Sequence, residues 1–346
     1  MMPHATPVRQ RLIIYGQPPD ACSLDDVTQA CFNVLAGTVP SPTAPITELT
    51  RSGILREQAG RLGFGDGVIE VSPALVTDLR RIAVHAAADY ADILAARMAE
   101  MPGGALDLIR DRPDGRHILV GGIILDLGIR SCLLQDGIFR AQPDACWVWI
   151  YPAGTDGGEI YGVRSWRSGD DGTSLSQLWH DSLVRSRPLL LSRQDMDVLA
   201  RAADEGGLPK SGLPPALLRS VIKLLFLELL ALEGDIYRPT SPVFDPRRDN
   251  SVVSWGLAAA RAIHEGAVLP ALEQAERAFE RAGITAIREI HRHGFLRLLL
   301  EQGMGDVIRR GLVPPFPASA SSVWGSWMLR NDLVSLLLDR SPGGHA

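Results

Sequence analysis

Lysine is almost missing from this chain: of 35 basic residues only Lys210 and Lys223 are lysines, and the rest are arginines. With 34 glycines and 24 prolines alongside, that scarcity points to a GC-rich bacterial coding sequence, which concerns codons and not chemistry. A basic surplus is missing too. Forty acidic residues leave a formal net charge of −5. Acids and arginines alternate along the chain, so no basic stripe is offered to a phosphate backbone, and nucleic acid is disfavoured as a partner. The four cysteines, Cys22, Cys31, Cys132 and Cys146, are too few and too far apart for a disulfide framework or a C-x-x-C zinc site, and are expected as reduced thiols.

Long charge-free runs are also scarce. The stretch 224–232, interrupted by Glu228, falls well short of the roughly 20 residues of a membrane span, and Met-Met-Pro-His-Ala-Thr-Pro at the start carries no apolar signal-peptide core. The expectation is a cytoplasmic protein with no membrane partner. Several motifs that announce chemistry are absent: Gly-x-x-x-x-Gly-Lys-Ser/Thr, Gly-x-Gly-x-x-Gly, Gly-x-Ser-x-Gly and His-Glu-x-x-His. The familiar phosphate loop, dinucleotide fingerprint, nucleophile elbow and zinc-protease helix go with them.

What remains is the pattern of a folded protein. A length of 346 residues at 46% hydrophobic content can bury two or three cores. The predicted class is α+β and predominantly α-helical. It has a helical C-terminal half, a central aromatic-rich β-hairpin and winged-helix-like units, divided as 1–115, 116–190 and 191–346.

The hairpin prediction rests on Trp147, Trp149, Tyr151, Tyr161 and Trp166. These lie in two β-prone runs flanking Pro-Ala-Gly-Thr-Asp-Gly-Gly. Helix signals fall at 25–35 behind Ser23, at 46–58, and at 73–101 behind the Ser72-Pro73 cap; a small Gly-rich hairpin is read at 60–71. The apolar run 117–134 is helix or strand. Further helices are read at 193–204, 214–233, 252–282, 284–302 and 323–340. Helix followed by a Gly-rich β excursion gives the winged-helix-like reading at about 24–71 and 192–240.

Helical wheels supply the candidate site. His264 falls on the apolar stripe with Val253, Leu257, Ala260 and Val268, and His291 on the stripe with Ile287, Phe295 and Leu298, so both imidazoles face inward while His293 faces out. Neutral imidazole is the commonest metal-ligating side chain, which makes His264 and His291 the candidate ligands of a haem or non-haem iron, or general bases. A straight hairpin separates them by about 16 Å along its axis, so sharing one ion requires a strong bend at Pro270. Asp126 in Ile-Ile-Leu-Asp-Leu-Gly and His180 in Trp-His-Asp are the auxiliary polar candidates. Trp147 and Trp149 are the candidate pocket walls.

The function these features suggest is an enzyme acting on a small organic molecule in a mostly apolar pocket, oxidative if a histidine-ligated iron or haem is bound. The alternative is a non-catalytic binding or regulatory protein, recognising a protein or peptide through the winged-helix-like units. In that reading the Leu-rich helix around 217–232 lies in a homodimer or partner interface.

Overall fold

The computed structural model describes residues 10–15, 19, 22, 24–38, 43–58, 60–140, 146–152, 161–168, 173–180, 191–245, 251–284, 287–317 and 324–330. The fold is α+β and mostly helical. It divides into two compact units built from interleaved segments: Met1–Ala86, Ile138–Gly158 and Val268–Leu299 form one, and Ala87–Gly137, Glu159–Ala267 and Leu300–Ala346 form the other.

The first unit opens with β1 (Gln10–Tyr15), α1 (Leu24–Leu35) and α2 (Ala44–Arg51). The antiparallel hairpin β2 (Leu55–Gln58) and β3 (Arg61–Phe64) and the short β4 (Val68–Glu70) follow. Residues 46–58 therefore do not form one helix. The chain turns back after α2 through Gly53, at φ +80°, and Gly65 packs so closely there that a Cβ would stand 2.2 Å from the Gly53 carbonyl oxygen. Such an approach is open only to glycine. Strand β5 (Trp147–Pro152) runs antiparallel to β1 and parallel to β4. The buried side chains of Val27, Cys31, Leu49, Ile54, Cys146, Val148 and Ile150 form the core beneath this sheet. The unit also holds the N-terminal part of α3 (Pro73–Met98), where the Ser72 hydroxyl accepts from the Leu75 N–H at 3.3 Å as the cap signal requires.

The predicted pairing of the two aromatic strands is corrected. Both strands exist, but β5 pairs with β1 and β4, whereas β6 (Tyr161–Arg167) pairs with β7 (Ser174–His180). Residues 148–152 are all buried, and a strand covered on both faces takes its neighbours from elsewhere in the chain.

In the second unit, α4 (Gly103–Asp111) leads into a continuous helical run, Gly115–Gln135. It consists of α5 (Gly115–His117), a π-helical segment π1 (Ile118–Ile129) and α6 (Arg130–Gln135). By length and composition alone this run is apolar enough to cross a membrane, a longer apolar segment than 224–232, yet 83% of its apolar window is buried inside the protein, as in a core helix.

Helix α9 (Ser251–Ile263) packs along that run. A Cβ on Gly128 would lie 2.3 Å from Ala260 Cβ, one on Gly256 2.5 Å from Ile123 Cγ2, and one on Gly122 2.8 Å from the Trp327 ring. The contacts 123 to 256 and 128 to 260 advance together, so the two helices run parallel. Beyond α9 the helix widens into a second π segment, π2 (His264–Val268), and resumes as α10 (Leu269–Arg281). Pro270, which has no N–H to return to residue 266, accounts for the break in the α ladder. The last long helix is α11 (Glu289–Arg309), whose first part belongs to the first unit.

The remainder of the second unit is α7 (Arg193–Asp204), β8 (Leu208–Pro209), α8 (Pro215–Phe226) and the hairpin β9 (Leu230–Glu233) and β10 (Ile236–Pro239), with strand order β8-β10-β9. A second sheet runs β11-β12-β7-β6, with β11 (Val243–Phe244) and β12 (Ser326–Leu329). Two predicted helices are thereby shortened or replaced. The helix read at 214–233 stops at Phe226, and Glu228 takes a left-handed φ of 59° before the chain enters β9. Of the helix read at 323–340, residues 326–329 are a strand with Trp327 buried against Gly122, and 331–340 lie outside the described residues.

The parallel glycine crossing sets a stability prediction. Gly256→Ala forces a methyl group into Ile123, and overpacking of this kind costs about 1–3 kcal/mol. Urea unfolding of the variant is expected to show a lowered midpoint with an unchanged slope.

Candidate functional site

Helix α8 is placed by charge on one side and left open on the other. Ser192 and Asp195 form a reciprocal capping box at the start of α7, satisfying two N-terminal N–H groups. The same Asp195 carboxylate receives Lys223 Nζ of α8 at 2.5 Å. Burial pushes the Asp195 carboxyl up, but Lys223, the Ser192 N–H and hydroxyl, and Ser220 outweigh it and hold the group below the ordinary 3.8. With that anchor, Ser220, Val221 and Leu224 turn into a core shared with Met196, Leu199, Leu208, Leu230, Tyr237 and Met328. At 100° per residue the opposite face carries Leu218, Ile222 and Phe226. These are 47%, 58% and 79% exposed. The binding-protein reading of the sequence places this Leu-rich helix in a homodimer or partner interface. In the structure one side of it enters the core and the stripe at 218, 222 and 226 stands in water.

His264 is fully buried, as its wheel position predicts. Gly256, Ala260 and His264 stand four residues apart, and the parallel crossing that brings the first two onto Ile123 and Gly128 brings the third to the end of α6. There its Nε2 donates to Asp136 Oδ2 at 2.6 Å. Arg261 adds a contact to Asp136 Oδ1 at 3.6 Å and a hydrogen bond to Gln135. The other ring nitrogen, Nδ1, is buried without a hydrogen-bond partner among the described residues. Asp136 was missed by sequence reasoning because Gln-Asp-Gly carries no signal beyond a helix end. This pair is half of a carboxylate–imidazole relay: the carboxylate fixes tautomer and ring orientation, and a nitrogen is left over.

In the first unit, His291 is buried and lies in the first turn of α11. Its Nδ1 accepts the Arg288 N–H at 3.0 Å, as the third residue of a capping box does, and its ring meets Phe279 edge-on at 5.2 Å. Trp147 lies under the Arg288 guanidinium at 4.6 Å. Trp149 is fully buried 5.0 Å from Tyr151, so tight against Gly294 that a Cβ there would touch the indole at 2.4 Å.

The structure thus brings Trp147, Trp149 and His291 together in one unit and places Asp126, His180 and His264 in the other. Asp126 is half-buried on π1, and His180 closes β7 opposite Tyr161. Among the described residues no group of three or more His, Cys, Asp or Glu side chains converges as a metal site. All four thiols are raised, Cys31 to about 12 and Cys146 to about 11, with burial the main cause in each. None is a ready thiolate at neutral pH. No family model matches the chain, and neither a curated protein nor a solved structure matches it.

The His291 cap carries a pH prediction. Burial lowers its pKa from the ordinary 6.5, and the positive charges of Arg288 and Arg292 push the same way. The unfolded chain therefore binds a proton before the folded one does, so the stability supplied at neutral pH is intact above about 6.5 and is lost as pH falls below it. His291→Asn keeps an acceptor for Arg288 and removes the titration. A smaller decline in urea-unfolding free energy between pH 6.5 and 5 is expected for the variant.

Proposed function

We propose that this chain is a non-catalytic binding or regulatory protein of the cytoplasm that recognises a protein partner through helix α8, the second helix of a winged-helix-like unit spanning α7 to β10. One observation carries the reading. Three large apolar side chains at four-residue spacing, ending in a Phe that is 79% exposed, face away from the side of the helix that packs in the core, and the Lys223–Asp195 ion pair lies on the flank between the two faces. A contiguous apolar helix face in water is a common mark of a binding surface, and burying side chains of this size is worth about 1.5–3 kcal/mol each. The face is unsuited to DNA. The only bases on α8 are Arg219 and Lys223, and Lys223 is held by Asp195, so few phosphates could be neutralised.

A second reading is favoured by the unpartnered Nδ1 of His264. It is the enzyme acting on a small organic molecule, with His264 as ligand to haem or iron or as base and Asp136 as the group that orients it. The spectrum and metal content of the purified protein decide this reading. A Soret band abolished by His264→Ala supports it, and a colourless, metal-free protein removes the cofactor from it.

The recognition reading is tested in the native cell with a photoreactive benzophenone side chain at position 226. A single defined adduct is expected, abolished by Ile222→Asp, while the unfolding free energy of Ile222→Asp stays within about 0.5 kcal/mol of the parent, as for other exposed positions. Scattered adducts no different from those at Leu106, exposed on α4, would overturn the reading.

A further inference from the structure

We infer that the partner of α8 is a second copy of this chain, docked helix to helix in antiparallel sense about a two-fold axis passing near Ile222. The inference rests on the recognition reading above and names its partner. An isologous contact requires a surface complementary to itself, and the exposed stripe has that property. Leu218 and Phe226 stand four residues to either side of Ile222. A two-fold rotation therefore sets Ile222 on its own copy and Leu218 against Phe226 twice, a branched side chain against a flat ring.

The charges at the two ends of the stripe fix the sense. Arg219, near the start of α8, and Glu228, just beyond its end, are both exposed, and neither side chain forms an ion pair among the described residues. Antiparallel pairing places Arg219 of each copy beside Glu228 of the other. The axial offset is about 4.5 Å at 1.5 Å per residue, well within the reach of an arginine. Parallel pairing would set like charges together at both ends. Glu228 adds an independent observation. It holds φ +59° at the left-handed position that follows a helix, where glycine is unstrained and a non-glycine residue is uncommon. Its main-chain oxygen accepts from the Thr240 hydroxyl at 2.6 Å, a bond that any residue could make. Inside the described chain its carboxylate has no ionic partner, so pairing with Arg219 of a second copy gives that side chain a role.

The test is the mass of the full-length protein in solution, by light scattering during size exclusion. Twice the chain mass is expected at micromolar concentration, reduced to the single-chain mass by Ile222→Asp and by Phe226→Asp. Arg219→Glu alone and Glu228→Arg alone each weaken the dimer by about tenfold, since two exposed contacts are reversed. An equimolar mixture of those two variants recovers the parent affinity, because each mixed contact then joins opposite charges.

A parent protein that stays monomeric at 100-fold higher concentration overturns the inference, and so does a dimer indifferent to the substitutions at 222 and 226. A mixture no tighter than its components overturns the antiparallel sense. A monomer whose position 226 cross-links a different protein sinks the second copy and keeps α8 as a recognition face. A monomer with no adduct sinks both.

Discussion

The parallel crossing of α9 over π1 is the constraint on which the larger unit depends. Gly128 against Ala260 and Gly256 against Ile123 bring two helices, separated by more than a hundred residues of sequence, closer than any side chain larger than hydrogen would permit. The cohesive energy is dispersion and water exclusion summed over many small contacts, and it falls steeply with any added gap. A glycine-rich helix would be a poor helix in isolation. Here the lost propensity is offset by the approach it permits, and the same crossing carries His264 to Asp136. The buried imidazole is therefore a consequence of helix packing before it is a candidate for chemistry.

Two buried carboxylates are each met by several donors. Asp195 serves the α7 cap and the α8 lysine at once, and Asp114 accepts both Arg112 nitrogens at 2.9 Å and the Gly325 N–H at 2.7 Å. In each case a buried carboxylate meets several donors, the condition under which a buried charge is tolerated. Such pairs specify geometry more than they add stability. Through Lys223, Asp195 ties one flank of α8 to the start of α7.

The sequence was most legible where local physics decides. The Ser72-Pro73 cap, the strands at 147 and 161, the helical runs at 193–204 and 252–281 and the inward turn of His264 and His291 all follow from periodicity and capping. It was least legible where partners are chosen at long range. Nothing in Trp-Val-Trp-Ile-Tyr-Pro names β1 and β4 as its neighbours. Nothing in Leu-Leu-Ala-Leu-Glu says that an apolar run will leave a helix for a strand, since leucine favours helix and only the β9–β10 pairing overrides it. His291 marks the border between the two cases. Its burial was readable, but its role as a cap depended on α11 starting at Glu289, and boundaries are the part of a helix that pattern fixes least well.

That border also orders the functional candidates. An imidazole that accepts a helix-terminal N–H, or an indole wedged under Gly294, already has a task in the fold and loses structure if it takes a ligand. His264 keeps one nitrogen unassigned, yet that nitrogen is fully enclosed, so a ligand must open the packing of α9 to reach it. Leu218, Ile222 and Phe226 are in the opposite position. They stand about half or more in water, where exposed apolar surface carries a free-energy cost that association would reduce. Among the described features, α8 is the surface on which binding competes least with stability.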